Sequence, residues 1–475
     1  MKSSDETRLI LEHLFEATFK SRCISFEALP QGGGNRIYYR MKDNKGMSAI
    51  GVRGNDIWEN DAFIYLAKCL RENGINVPEV YSVSEDKHYY LQQDLGDISL
   101  FSILHTTEGD KYLEQAVKDL PKIQLIKNID LNKPFLQSPF SARGVMADLN
   151  YFKYCFLKPC DIDFDEERLQ DDFEQLCEEI MSSTKNLLGL MYRDCQSRNI
   201  MIHKGKVWWI DFQSARKGPI LYDIVSLLWQ AKAGLSEEKR MSLINIYFDT
   251  LKSLSNHPLN DIRYKASLLA LLRTLQVLGA YGFRGLVQRK AHFITSIPSA
   301  LSNLKLLLEN NVCDKYPYMK EVLLRLCDKR EDFMSENNSD KLLVEVFSFS
   351  YKKGYPRDYS GNGGGFMFDC RAMHNPGRYK EYKTLTGMDD EVIEFLEERG
   401  EVQSFLSDAQ SLVDKAVERY VSRGFTHLQI GFGCTGGQHR SVYCAEQMAK
   451  HLHESFGDKI IVSLRHREQS VSKRF

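Results

Sequence analysis

Three oxygen-bearing side chains stand at intervals that suit one chemistry. Asp194, in the run YRDCQSRN, is followed five residues later by Asn199 and twelve after that by Asp211. A short loop that presents Asp194 to an acceptor hydroxyl turns Asn199 back toward a metal. The hairpin-like stretch MIHKGKVWWI then returns the chain, so that Asp211 meets the same metal from the other side. Magnesium is a hard cation that takes oxygen ligands of this kind and keeps several waters. Phosphoryl transfer asks mainly for positioning and neutralisation of charge, which such a set supplies. A second cluster lies near the end of the chain, in GCTGGQHRS. Gly433, Gly436 and Gly437 allow close backbone approach, Thr435 and Ser441 add hydroxyls, and His439 and Arg440 add donors. Placed between a strand and a helix, that loop suits an anion. It lacks the Lys-Ser/Thr ending of a Walker A motif. Cys434 and Arg440, with five residues between them, have the C-x5-R spacing of a thiol nucleophile, a reading secondary here to that of an anion site.

Each cluster needs elements to hold it. Ahead of the first lie an amphipathic helix at the N-terminus and LPQGGGNRIYYRMKDNKGMSAIGVRG, which reads as strand, Gly-rich turn, strand, polar turn, strand. WENDAFIYLAKCLRENG reads as a helix closed by Gly74, and VPEVYSVSEDKHYYLQQDLGD as a hairpin. The rest, to about residue 330, is mostly helical. The plan is α+β, a small sheet followed by a helical lobe. The polar stretch DKREDFMSENNSD marks a boundary, giving a first domain over 1–330, a linker over 331–341 and a second domain over 342–475. The second domain reads as a strand from LLVEVFSFS, a strand and turn in FMFDCRAMHNP, and two helices ending at Gly424. A strand, the Gly-rich loop, a helix and a last strand complete it, an α/β layout. The final VSKRF reads as a solvated basic end.

YRDCQSRN, WWIDFQSA and LYDIVSLL together resemble the aminoglycoside phosphotransferase/choline kinase group of small-molecule kinases. The likeness extends over about residues 10–330 and departs from the family pattern at Tyr192, where His is usual. It implies a protein-kinase-like two-lobed fold, ATP and Mg2+ as cofactors, Asp194 as the catalytic residue, Asn199 and Asp211 as metal ligands, and Asp223 as the brace of the catalytic loop. For the nucleotide it implies Gly32, Gly33, Gly34 and Asn35 over the phosphates. No lysine stands where the phosphate-pairing one belongs; Arg53 is near that place, with Glu59 as its partner, or no cation is, and Gln93, Asp94 and Leu95 form the hinge at adenine. YYR, VPEVYS, DLGD and RGVMADLNYFKYCFLK are most similar to the bacterial anomeric sugar kinases. That implies an N-acetylmuramate or N-acetylglucosamine acceptor phosphorylated at the 1-hydroxyl, with Asp148 and Asn150 on sugar hydroxyls. The rival implication is a regulatory adapter that binds RNA or sugar phosphate and whose kinase-like half is degenerate.

VFSFSYKKGYP, FDCRAMHNP, LTGMDDEV, GCTGGQHRSV and LRHRE resemble the C-terminal domain of RapZ, the RNase adapter protein, over about residues 342–468. The resemblance implies a pocket for a phosphate or an amino-sugar phosphate. Its residues would be Lys352, Arg371, His374, Asn375, Gly433, Thr435, Gly436, Gly437, His439 and Arg440. It also brings small RNA into view as a partner and leaves room for a homo-oligomer through this domain.

Composition limits these readings. With 63 Lys plus Arg against 64 Asp plus Glu in 475 residues, the chain does not coat nucleic acid by net charge. A hydrophobic content of 43% is enough for packed cores. The eleven cysteines are odd in number and form no C-x-x-C pair, so reduced thiols and no zinc site are expected. The N-terminus lacks the basic start and apolar middle of a signal peptide, and no run of about 18 apolar residues stands out. The expectation is a cytoplasmic protein without a membrane span.

Overall fold

The computed structural model describes residues 4–30, 35–160, 162–255, 260–288, 290–333, 341–356, 358, 364–398 and 400–475. The chain forms two units. One comprises Met1–Ala280 with Ser299–Asp328, and the other Tyr281–Pro298 with Lys329–Phe475. Tyr281–Pro298 therefore groups with the second unit, although the sequence placed it in the first domain.

In the first unit, β1 (Ser25–Ala28), β2 (Ile37–Lys42), β3 (Ser48–Arg53), β4 (Val80–Val83) and β5 (Tyr89–Gln93) form an antiparallel sheet in the order β1-β2-β3-β5-β4. Strand side chains alternate between faces. Tyr39, Met41, Ala49, Tyr89 and Leu91 pack on Leu11 and Phe15 of helix Ser4–Phe19. A methyl group on Gly51 would come within 3.2 Å of Leu11, so Gly51 shares that face. Tyr38, Ile50, Val52 and Tyr90 take the opposite parity, and Tyr90 stacks on Phe63 of helix Ile57–Glu72. Asp56 caps that helix by accepting from the backbone N–H groups of Trp58 and Glu59.

The helical part of this unit carries two small ladders. β6 (Leu188–Met191) pairs with β9 (Arg216–Pro219), and β7 (Ile200–His203) pairs with β8 (Lys206–Trp209). The turn between β7 and β8 has Lys204 at φ 50° and Gly205 at φ 70°, the left-handed pair that a two-residue hairpin needs. The β6–β9 ladder was not legible in the sequence. By hydropathy and length one segment among the described residues, Ile262–Val287, is apolar enough to cross a membrane. However, 67% of its most apolar window is buried within the protein.

The second unit is a mixed sheet in the order β11-β12-β10-β13-β14. β10 (Leu342–Ser350) lies between β12 (His427–Cys434) and β13 (Ile460–His466), parallel to both, and β11 (Gly365–Asp369) extends the parallel set. A parallel strand covered on both faces reads as a continuous apolar run, as LLVEVFSFS does. The end of the chain departs from expectation. Val471–Arg474 is β14, an antiparallel edge strand on β13 with Ser463 opposite Arg474. Its lysine and arginine suit an exposed edge. All eleven cysteines are free thiols.

Candidate active site

Asp211 follows β8, and Asp194 and Asn199 occupy the loop between β6 and β7. The three meet as a connected set. The Asn199 amide donates to the Asp194 carbonyl at 2.9 Å and to Asp211 Oδ2 at 2.9 Å. Gln213 donates to Asp211 Oδ1 at 2.8 Å and to Glu59 Oε1 at 3.2 Å. Glu59 is thus tied to Asp211 through Gln213, which the sequence reading did not single out.

Backbone strain marks the site. Arg193 at φ 79° and Asp211 at φ 67° are non-glycine residues in the left-handed region, flanking or supplying the functional carboxylates. Asp223, 0% exposed, holds the loop. Its Oδ2 accepts from the Tyr192 backbone N–H at 2.8 Å and from the Gln124 amide at 2.9 Å, and its Oδ1 accepts from the Arg193 N–H at 2.9 Å. Burial pushes the Asp223 carboxyl up to about 6, against the pull of these donors. Tyr192, where His is usual, is buried and donates its hydroxyl to the Ile210 carbonyl, one residue before Asp211. The ring thereby ties the catalytic loop to the strand end that carries Asp211.

Asp211 suits a dication. Burial raises its carboxyl; Gln213 and Arg36 oppose that, while Asp194 adds to it. A buried carboxylate raised further by a second one is relieved by a bound cation, and Asp211 with the Asn199 amide oxygen makes a hard donor pair.

Several expected nucleotide residues are placed differently. Gly32, Gly33 and Gly34 lie outside the described residues, and Asn35 is exposed. Arg53 shares the parity of Ala49 and Gly51, so it faces helix Ser4–Phe19 and donates to Thr7 Oγ1 at 3.1 Å. It is on the sheet face away from Asp211. The cation beside Glu59 is instead Arg36, which follows the Gly-rich turn. Arg36 is 5% exposed; its Nη2 donates to the Glu59 carbonyl at 2.8 Å and lies 3.5 Å from the Glu59 carboxylate. At the hinge, Asp94 is held by Arg40 at 2.8 and 3.0 Å and by Ser48 at 2.5 Å. Burial pushes Asp94 up, but the Ser48 and Arg40 hydrogen bonds outweigh it and the net shift is down. The Leu95 carbonyl lies 3.1 Å from His203 Nδ1, and Gln93 ends β5, its backbone N–H donating to the Glu79 carbonyl at 2.8 Å.

Asp148 and Asn150 are not brought together. They stand two apart on helix Ala142–Phe152, and residues two apart on a helix do not face each other. Asp148 is engaged by Arg193 at 3.2 Å and Gln276 at 3.1 Å.

In the second unit the Gly-rich loop joins β12 to helix Arg440–Phe456, and only Thr435 and Gly436 stand exposed at its tip. Arg440, 4% exposed, donates to the carbonyls of Arg371 at 2.9 Å and Met373 at 2.8 Å. His439 Nε2 sits 2.8 Å from the Tyr382 carbonyl. Gln438 reaches the carbonyls of Lys383 and Leu385 at 2.9 and 2.6 Å. Expected as anion ligands, His439 and Arg440 instead fasten the loop to the segment 371–385. Gly433 is small for packing: a methyl there would meet the rings of Phe349 and Tyr351 at 2.5–2.6 Å. Gly437, at φ 66°, is the loop glycine that backbone conformation requires. Lys352 and Arg371 are exposed, and Arg371 lies 4.1 Å over the Tyr351 ring and is paired with Asp369 at 2.7 Å. His374 Nε2 contacts the Tyr379 hydroxyl at 3.0 Å, and Asn375 accepts from the Gly377 N–H. Among the described residues, Lys352, Arg371 and Thr435 are exposed donors of the expected set.

Comparison with known proteins agrees with this two-part layout. Residues 25–255 match the model of the phosphotransferase enzyme family, and residues 342–470 match that of the RapZ C-terminal domain. The part of the chain with the α+β layout is thus similar to phosphotransferase enzymes, and the part with the α/β layout to the RapZ C-terminal domain. A nucleotide-binding protein of Nitrosomonas europaea is 39% identical over 126 residues, 26% of this chain and 42% of that protein. A nucleotide-binding protein of Shewanella sp. (strain ANA-3) is 32% identical over 217 residues, 46% of this chain and 64% of that protein. The chain spans less than two thirds of the length of these curated relatives. Among solved structures, Plasmodium vivax ethanolamine kinase aligns at 14% identity and TM-score 0.47, over 65% of this chain and 90% of that one. A choline/ethanolamine kinase family protein from Mesorhizobium loti aligns at 13% and 0.46, over 67% and 98%.

Proposed function

We propose that this chain is an ATP- and Mg2+-dependent phosphotransferase that acts on the anomeric hydroxyl of an N-acetylated amino sugar, with a second domain that senses a sugar phosphate. The observation that carries the reading is the unbroken polar line from the Asp194 carbonyl through Asn199, Asp211 and Gln213 to Glu59. Asp194 orients the acceptor hydroxyl and takes its proton as the oxygen attacks the γ-phosphorus and ADP leaves. Asn199 and Asp211 hold the metal, which when bound neutralises charge on the phosphates. Arg36 is the cation on the triphosphate side: it is buried beside Glu59, and its Nε finds no partner among the described residues. Asp223 and Tyr192 keep the loop rigid, so that proton transfer costs little reorganisation.

The adapter reading drew on the missing lysine and on Tyr192. Arg36 and the Tyr192–Ile210 hydrogen bond weaken both grounds. Anomer-resolved product analysis over a panel of amino sugars with ATP and Mg2+ tests the proposal. A phosphorylated 1-hydroxyl is expected, and absence of ATP-dependent product from every sugar would defeat it. In the second domain, titration with glucosamine-6-phosphate should give saturable binding.

A further inference from the structure

We infer that a groove on the first unit docks an acidic protein segment with apolar anchors. Helix Thr107–Gln124, the chain just after it, the β7–β8 hairpin and the loop after helix Ile57–Glu72 enclose a groove of about 1000 Å³. That volume is at the upper end of small-molecule sites. Part of the lining is apolar: Ile75, Leu125 and Ile126 are half-buried, and Val207 and Trp209 are buried. Lys111, Lys122, Lys127 and Lys206, all exposed, line it as well, against a single carboxylate, Asp119. Two lysines of this helix have acidic partners: Lys118 lies 2.6 Å from Glu114, and Lys122 lies 2.7 Å from Asp119. The one acid of the groove is therefore already neutralised. Lys111, Lys127 and Lys206 form no ion pair among the described residues. They stand on three separate stretches, the helix, the segment after it and β8, and share one groove. Positive charge gathered in this way attracts an anionic partner and rejects a cationic one.

The arrangement favours a protein segment over other polyanions. A phosphate group needs donors that converge on one spot, whereas these lysines are spread along the walls. A nucleic-acid base needs an exposed aromatic face, and Trp209 is 1% exposed. An acidic segment answers both features, with carboxylates toward the lysines and leucine-like side chains on the apolar residues. Its seat is tied to the strand that leads into the candidate active site. The Asn76 carbonyl accepts from the Trp209 backbone N–H at 2.9 Å, and the Asn76 amide donates to the Val207 carbonyl at 3.1 Å. That strand, β8, ends two residues before Asp211.

The probe is a random peptide library displayed on phage, selected on the full chain and then on a charge-reversed variant, Lys111→Glu with Lys127→Glu and Lys206→Glu. The wild type should enrich peptides that combine Asp or Glu with Leu, Ile or Phe, and the variant should not retain them. A recovered peptide, labelled with fluorescein, is then titrated by anisotropy. Its affinity should fall about a hundredfold in the charge-reversed variant, and about three- to tenfold in Ile126→Ala, which leaves the charge untouched. Rising salt should weaken it. Urea denaturation followed by tryptophan fluorescence checks that the variants fold. Should the triple reversal not fold, Lys206→Ala decides, with an expected loss of about three- to tenfold. Peptides without acidic residues, peptides bound equally by wild type and variants, or no enrichment at all would overturn the inference. So would tight binding of oligouridylate that is lost in the charge-reversed variant and kept in Ile126→Ala, which would assign the groove to nucleic acid.

Discussion

The loop around Asp194 and the Gly-rich loop after β12 both look, in sequence, like rows of ligand-binding side chains, yet they are built on opposite plans. Around Asp194, Asn199 reaches the Asp194 carbonyl and Asp211, while Gln124 and Asp223, outside that loop, hold it from behind. In GCTGGQHRS the motif side chains are themselves the fasteners. Gln438, His439 and Arg440 turn inward onto backbone carbonyls, and the exposed tip is left to Thr435 and Gly436. A polar residue in a motif is thus a ligand only where other groups have taken over the scaffolding. Buried carbonyls must find donors, and whichever side chain meets that demand is lost to the ligand.

This contrast can be broken most sharply at Asp194. Asp194→Asn should lower kcat by about 10²–10⁴, the usual contribution of a positioned general base, while melting is little changed. Turnover within tenfold of wild type would remove Asp194 from the chemistry. In the second loop Arg440→Ala should act on stability, because two buried carbonyls lose their donor. A loss of about 2–4 kcal/mol in the denaturation of the second unit is expected. Lys352→Ala should weaken glucosamine-6-phosphate binding about tenfold without that loss, and the reverse pattern would return Arg440 to the role of ligand.

A smaller effect separates the two arginines of the first sheet. Arg36→Ala should raise the KM for ATP about tenfold, as for a lost charge-assisted contact. Arg53→Ala, on the face toward helix Ser4–Phe19, should leave it within twofold. A further effect is in the pH dependence of stability. The native Asp223 carboxyl titrates at about 6, above its value of 3.8 in the unfolded chain. Its stabilising contribution is full below about pH 4 and is lost as pH rises through 6, which amounts to about 3 kcal/mol. All four tryptophans (Trp58, Trp208, Trp209, Trp229) lie in the first unit, so their fluorescence in urea reports that unit alone. The stability of Asp223→Asn relative to wild type should rise between pH 4.5 and 7. A flat difference would contradict the titration of Asp223.

Several elements were legible because they depend on near neighbours in the chain. The β7–β8 hairpin follows from its Lys204-Gly205 turn. β10 follows from its apolar run, and the end of the helix Ile57–Glu72 from Gly74. Arg53 was misplaced because strand parity decides its face, and parity is set by packing on Leu11 and Phe15, about forty residues earlier. Asp148 was read as a sugar ligand from a resemblance, and its contacts with Arg193 and Gln276 join segments far apart in the chain. β14 was taken for a loose basic end because its partner, β13, supplies the hydrogen bonds that make it a strand.

The intervals among Asp194, Asn199 and Asp211 could be read off the chain, because a short loop and a tight hairpin leave few ways to arrange them. Which arginine stands beside Glu59 and which polar side chains of the Gly-rich loop are spent on carbonyls both turn on contacts between segments distant in sequence. Those contacts come from burial, which ranks side chains by what surrounds them in space and is blind to their order along the chain.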